Sequence, residues 1–264
     1  MKFINPIWGT ACFSLALLSG CGNDSTGSDN IESSDFYTSM HATSKDANST
    51  DVTIYFNAGT GWGADSIQLS GGDNLYVSSN GQTKEPWYDM FFAGYHASFD
   101  FNGSGSEFVV SLYRNGHDDM PESKVQLPNQ FDITAPDSGL VFTAADDLTV
   151  TWGPVEADQP VKVHLSVYCV SDDEEDIDGR EWITESETME TDQGIFVFSI
   201  ADILADVTGY KDIDTSQHCT GHVEVSKTRY GTVDPNYGKG GSFYGVQERK
   251  VEVIIDPKPL FSSE

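Results

Sequence analysis

From Asp51 onward the chain repeatedly alternates apolar and polar residues at period two, in short runs broken by glycine and asparagine. Successive side chains of a strand point to opposite faces, so each run fits a strand with one buried face and not the stripe of a helix. Val52, Ile54 and Phe56 open the series. Further runs cover 66–69, 74–78, 95–101, 107–113 and 123–127. Between them stand turn signals at Gly71-Gly72-Asp73-Asn74, Asn80-Gly81, Asn102-Gly103 and Asn115-Gly116. A second series follows Pro128: Leu148, Val150 and Trp152, then Val161 to Cys169 at strict period two, then Cys219, Val223 and Val225, and finally Val251, Val253 and Ile255. One helix is predicted, from the spacing of Ile200, Ile203, Leu204 and Val207 behind Ser199 as N-cap. Short strands at this spacing predict an all-β chain of two tandem antiparallel β-sandwich domains, 51–130 and 131–257, with a tail at 258–264.

The first 50 residues follow another rule. Lys2 precedes an uncharged run from Phe3 to Leu18, which is too short to cross a bilayer and ends in the small residues of a cleavage site. Residues 1–20 therefore read as a secretory leader. Leu18-Ser19-Gly20-Cys21 resembles the lipobox of bacterial lipoproteins. That resemblance implies a lipidated (palmitoylated) Cys21 as mature N-terminus and attachment to a membrane. Gly22, in place of the Asp that retains enteric lipoproteins at the inner membrane, implies the outer one. Residues 21–50 are rich in Ser, Asp, Asn and Thr, a composition that predicts a flexible tether holding the folded part on the order of 30 Å from the lipid.

Charge and cysteines narrow the classes. Lys2 leaves with the leader, so 13 basic residues face 42 acidic ones. A field that negative repels nucleic acid and anionic lipid, and no nucleic-acid partner is expected. With Cys12 in the leader and Cys21 taking lipid, Cys169 and Cys219 remain, an even pair that predicts a disulfide in an exported protein. Both fall on the core-facing parity of their strands.

Asp147-Leu148-Thr149-Val150-Thr151-Trp152, the Gly153-Pro154 turn and the run to Tyr168 resemble the opening of a fibronectin type III or related immunoglobulin-like domain over residues 131–256. Trp152 precedes both cysteines, unlike the immunoglobulin order of Cys, Trp, Cys, so a bridge from third to sixth strand within one sheet fits better than one across the sandwich. The mature chain as a whole resembles bacterial surface lipoproteins built of two such modules, which implies no particular activity.

Several constellations bear on chemistry. Glu174, Asp176, Asp178 and Gly179, with Glu185 six residues on, reproduce the spacing of a twelve-residue calcium loop. Glu replaces Asp at its first position, Glu181 stands where an apolar residue belongs, and no helices flank it; the alternative is a solvated acidic hairpin. His218 and His222 lie about 13 Å apart on a strand, too far for one metal. If Cys169 faces Cys219, the register sets His164 against Glu224 with His222 diagonal, a polar cross-strand set with the makings of a metal site. His117-Asp118-Asp119 reads as a loop tip in water. The chain has no Gly-x-Ser-x-Gly elbow, His-Glu-x-x-His pair or phosphate loop. Aromatic residues gather on predicted connections: Trp62, Trp87, Tyr88, Phe91 and Phe92 in the first domain, and Tyr230, Tyr237, Phe243 and Tyr244 in the glycine-rich stretch before the last strand. Trp62, Tyr237, Phe243 and Tyr244 are the expected binding residues, since flat rings on such loops stack on sugars or anchor proteins. The expected function is a noncatalytic, outer-membrane-anchored binding or structural module for a protein or glycan. The alternatives are a calcium-stabilised adhesion module and an envelope hydrolase.

Overall fold

The computed structural model describes residues 26–61, 64–170, 180–208 and 213–258. Among the described residues, eighteen strands and one α-helix build two β-sandwich bodies. The first holds β1 (Thr26–Gly27), β2 (Phe36–Ser44), β3 (Thr50–Ala58), β4 (Ile67–Gln68), β5 (Asn74–Ser79), β6 (Gln82–Lys84), β7 (Trp87–Asp89), β8 (Gly94–Phe99), β9 (Glu107–Tyr113) and β10 (Met120–Gln126). The second holds β11 (Asp132–Ala135), β12 (Leu140–Thr143), β13 (Asp147–Gly153), β14 (Val161–Val170), β15 (Arg180–Met189), β16 (Ile195–Ser199) and α1 (Ile200–Thr208). β17 (Cys219–Tyr230) and β18 (Gly241–Asp256) belong to both. Asp202 N–H donates to Ser199 Oγ at 3.3 Å, the expected cap of α1.

One nine-stranded sheet runs through the molecule in the order β15-β14-β17-β18-β2-β3-β8-β7, with β12 also on β18. The β17–β18 hairpin keeps an unbroken register from Cys219 opposite Ile255 to Tyr230 opposite Tyr244. With no bulge to reverse the pleat, one set of positions stays on one face throughout. Phe243 on that face enters the core of the first body, while Val253 and Ile255, further along the same strand, enter the core of the second. Both cores therefore lie on the same side of the shared sheet. A four-stranded sheet, β10-β9-β5-β6, covers the first, and a three-stranded sheet, β11-β13-β16, covers the second.

The sandwich architecture agrees with the sequence, but three details do not. Residues 26–50 are not a tether: β2 is buried at Phe36, Thr38, Met40, Ala42 and Ser44, and its outward side carries Tyr37, Ser39, His41 and Thr43. Period two is present there, but Thr, Ala and Ser hold three of the five buried positions, so composition hides a strand that a neighbouring sheet edge stabilises. The boundary at 130/131 is not a clean division either, because Tyr237 and Phe243 belong to the first core. Finally, β2 and β12 pair with β18 in parallel, and β1 with β4. Alternation is the same in both directions, so the sequence could not tell them apart.

Each body is fastened by a buried ion pair beneath a phenylalanine. In the first, Arg114 Nε lies 2.9 Å from Asp73 Oδ2, and the guanidinium sits 4.5 Å from the Phe36 ring centroid. It also donates to the carbonyls of Ser28 and Ile31 and to Ser33 Oγ, which ties residues 28–36 down. In the second, Lys227 Nζ lies 2.7 Å from Asp192 Oδ2 and 4.8 Å from the Phe131 centroid. Asp192 further accepts from Trp152 Nε1 and from the backbone of Glu156 and Gly194. Burial pushes its carboxyl up, but the hydrogen bonds from Lys227, Glu156 and Trp152 outweigh that and hold it below the usual carboxylate range. At the junction Arg229 Nη2 meets Glu156 Oε1 at 2.7 Å, and the same carboxylate accepts from Asn129.

The predicted disulfide is present, with Cα atoms of Cys169 and Cys219 4.3 Å apart. It joins neighbouring strands of one sheet, as expected, although these are the fourth and seventh strands of the second body and not the third and sixth.

Candidate binding face

Nothing among the described residues covers the other face of the nine-stranded sheet. Its outward positions bring six residues into a single row across six strands. Trp87 pairs with His96, His96 with Thr53, Thr53 with His41, His41 with Tyr244 and Tyr244 with Tyr230. Neighbouring strands lie about 4.8 Å apart, so the row is roughly 24 Å long.

Contacts along the row hold its rings in place. The Trp87 and His96 rings are 5.0 Å apart at 32°, and Thr53 Oγ1 lies 3.3 Å from His96 Nδ1. His41 Nε2 lies 3.1 Å from Ser39 Oγ, and its ring is 5.3 Å from Tyr244 at 33°. Tyr230 then packs edge-on against Tyr244 at 5.3 Å. Trp87 and Tyr230, at the two ends, are exposed, while the four between are half-buried. Partial burial lowers the His41 pKa, so the imidazole is neutral at neutral pH and offers both a donor and an acceptor.

Beside the Trp87 end an open depression is lined by Lys45, Asp51, Thr53, His96 and Ser98. Asp51 Oδ1 accepts from Ser98 Oγ at 2.6 Å. On the second body the same face carries His164 opposite Glu224, as the cysteine register required, and His222 opposite Glu252. Lys250 Nζ reaches Glu224 Oε2 at 3.4 Å. Burial, then the charge of Lys250, lower the His222 pKa, against the opposing pull of Glu224. Among the described residues, no three His, Cys, Asp or Glu side chains converge to hold a metal.

The expected site residues are placed unevenly. Tyr244 lies fifth in the row, next to its Tyr230 end. Tyr237 and Phe243 are fully buried, Tyr237 stacked 6.1 Å from Phe56, so neither can meet a ligand. They were read as loop residues because glycines surround them; Phe243 in fact occupies an inward position of β18 and Tyr237 fills the core beneath. Burial drives the Tyr237 hydroxyl pKa far up. Trp62, Glu174, Asp176, Asp178 and Cys21 lie outside the described residues. Glu185 is described: it sits in the extended strand β15, opposite Leu165.

His117 is not a free loop tip. Its ring contacts Glu32 Oε2 at 3.3 Å, and Asp119 Oδ1 accepts from the Arg114 backbone. His41, Thr53 and His96 escaped the sequence reading because they sit at polar positions of amphipathic strands; their only signal was an imidazole recurring on outward parity.

No family model and no curated protein matches the chain. Among solved structures it is similar to the adhesin InvE of Yersinia pseudotuberculosis, with 9% identity over 83% of this chain and a TM-score of 0.22. The match spans 58% of the adhesin chain, less than two thirds of its length. It is also similar to the fibronectin(III)-like modules of CbhA from Clostridium thermocellum, with 10% identity, 82% of this chain, 94% of that one and a TM-score of 0.21. Likenesses this low carry no argument about function, which has to rest on the side chains described above.

Proposed function

We propose that this chain is a noncatalytic, lipid-anchored envelope module that binds a neutral glycan along the open face of its shared sheet. The observation that carries this reading is the row from Trp87 to Tyr230. Rings with fixed tilts present flat apolar surface to the carbon-bearing faces of sugars, and Thr53, His41 and Tyr244 supply hydrogen-bonding groups beside them. Lys45, Asp51, Glu224 and Lys250 on the same face mix both signs of charge, which favours an uncharged ligand over a polyanion. The polar groups are spread along a surface and do not converge on a reacting atom, which supports binding over turnover. Lipidation of Cys21 and attachment to the outer membrane rest on the leader and its resemblance to lipoproteins. Because Thr26 is already in a strand, five residues after Cys21 reach at most about 17 Å, so the body would sit close to the membrane.

Affinity electrophoresis and calorimetry against a panel of neutral poly- and oligosaccharides test the reading. Tyr244→Ala and Trp87→Ala should each weaken binding at least about tenfold, the effect of truncating an aromatic anchor, with melting unchanged. A wild-type chain that binds no member of the panel, or variants that bind as well as it does, would end the proposal.

A further inference from the structure

The β7–β8 hairpin presents three consecutive large apolar side chains to water: Met90 is 74% exposed, Phe91 86% and Phe92 71%. The tip is a built turn. Asp89 Oδ1 accepts from the Phe91 N–H at 2.8 Å and the Phe92 N–H at 3.4 Å. Ala93 takes a left-handed φ of 52°, a conformation a non-glycine residue rarely adopts. Gly94 then passes so close to Tyr55 that a Cβ would lie 2.6 Å from its ring. Chain geometry is thus committed to holding these side chains outward, where water is an unfavourable surrounding for them.

The position of the tip in the fold indicates what should cover it. β8 runs antiparallel to β3, with Tyr95 opposite Ile54 and Phe99 opposite Thr50, so the tip lies at the end of the first body remote from the second. The described chain begins at that same end. Thr26 N–H donates to Ser66 O, Asn57 bridges to Ser66, and Leu69 N–H donates to Tyr95 Oη. The chain leading from Cys21 therefore joins the folded body at the pole that carries Met90, Phe91 and Phe92. Trp87 and Tyr88 stand at the base of the hairpin, where amphipathic rings favour a headgroup layer. Exposed acidic residues around the pole, Asp29, Glu32, Asp65 and Asp118, suit choline or ethanolamine ammonium groups and disfavour anionic lipid.

We infer that the Met90–Phe91–Phe92 tip enters the headgroup boundary of a zwitterionic lipid bilayer beside the point where the N-terminal segment joins the body. A convex apolar tip suits a deformable surface, and a weak insertion of this kind would hold the body against it. The inference rests on Met90, Phe91 and Phe92, which lie outside the glycan row, and shares with that reading only Trp87.

A chain lacking residues 1–21 keeps every residue of both described cores, so its partition onto phosphatidylcholine/phosphatidylethanolamine vesicles reads the tip alone. The wild-type chain should float with these vesicles. Phe91→Ser with Phe92→Ser should lower the partition at least about tenfold while leaving melting and any glycan affinity unchanged. Added anionic lipid at low salt should weaken wild-type binding. In the wild type, lipids brominated near the headgroup should quench fluorescence, and Trp87→Phe should remove that quenching, a readout that needs no change at the tip. Failure of the wild type to float, equal flotation of the double variant, or Phe91-dependent self-association in place of partition would overturn the inference.

Discussion

The two bodies solve the same problem with different materials. The first fills its core with rings, Phe36, Phe56, Phe99, Phe108, Tyr95 and Tyr237, and has no cross-link among the described residues. The second is largely aliphatic, built on Val161, Val163, Leu165, Val223, Val225, Val253 and Ile255, and is stapled by Cys169–Cys219. Large rings bury more apolar area per residue, so a body rich in them has less need of a covalent constraint on its unfolded chain. Both nevertheless place a buried cation and an aspartate against a phenylalanine, and both lie on the β17–β18 hairpin. Difference in core chemistry and identity of scaffold can be separated by experiment.

The largest expected effect is on the second body. Replacing both Cys169 and Cys219 by Ala frees a loop of about 50 residues, which costs roughly 4 kcal/mol in the chain-entropy account. Chemical denaturation measures it, and amide exchange locates it: β14 and β15 should open before β5 and β9. Equal opening of both would show that the shared hairpin makes them one cooperative unit. Next comes the first body, where Arg114→Met leaves Asp73 buried without its cation and releases residues 28–36, a loss of about 3 kcal/mol. Limited proteolysis should then cut first between Ser28 and Phe36. Intact protection of that segment would remove Arg114 as its fastener.

Acid should produce a smaller change, again unequal between the bodies. His41 and His222 have lowered pKa values in the folded state, so the unfolded chain takes up their protons first; stability they contribute is present above about pH 6.5 and is lost as pH falls through their lowered values. Asp192 likewise contributes above about pH 3.8 and loses that contribution as pH falls through its depressed value. Glu248, whose pKa burial and Glu224 raise, acts in the opposite sense, favouring the fold while protonated and losing that as pH rises. Melting temperature against pH should therefore fall in two stages on acidification, and Asp192→Asn should shrink the lower one, to which Asp46, Asp146, Asp214 and Asp256, also held low by hydrogen bonds, contribute as well. The smallest expected effect is at Glu185, exposed on β15: Glu185→Gln should leave the melting temperature unchanged, and a clear drop on thermal scanning would contradict that placement.

Legibility followed local chemistry. The run from Val161 to Cys169 was plain because every second residue is a strong β-former, and the disulfide followed from counting sulfurs. β2 was missed because its buried positions include Thr38, Ala42 and Ser44, which look polar until a neighbouring edge is supplied. Tyr237 and Phe243 were read as exposed because glycine-rich flanks suggest a loop. Trp87, Tyr230 and Tyr244 stand out in the sequence as aromatics, but their alignment with His96, Thr53 and His41 joins strands far apart in the chain.

By itself the sequence determined the strand character, the sandwich class, the single helix and the pairing of Cys169 with Cys219, because alternation, capping and sulfur count are properties of neighbouring residues or of simple arithmetic. Only the tertiary structure decided that one hairpin serves both bodies, that both cores lie on one side of it, and that the other side carries an aromatic row. Those facts depend on register and on parallel pairing between distant strands, and period two is blind to both.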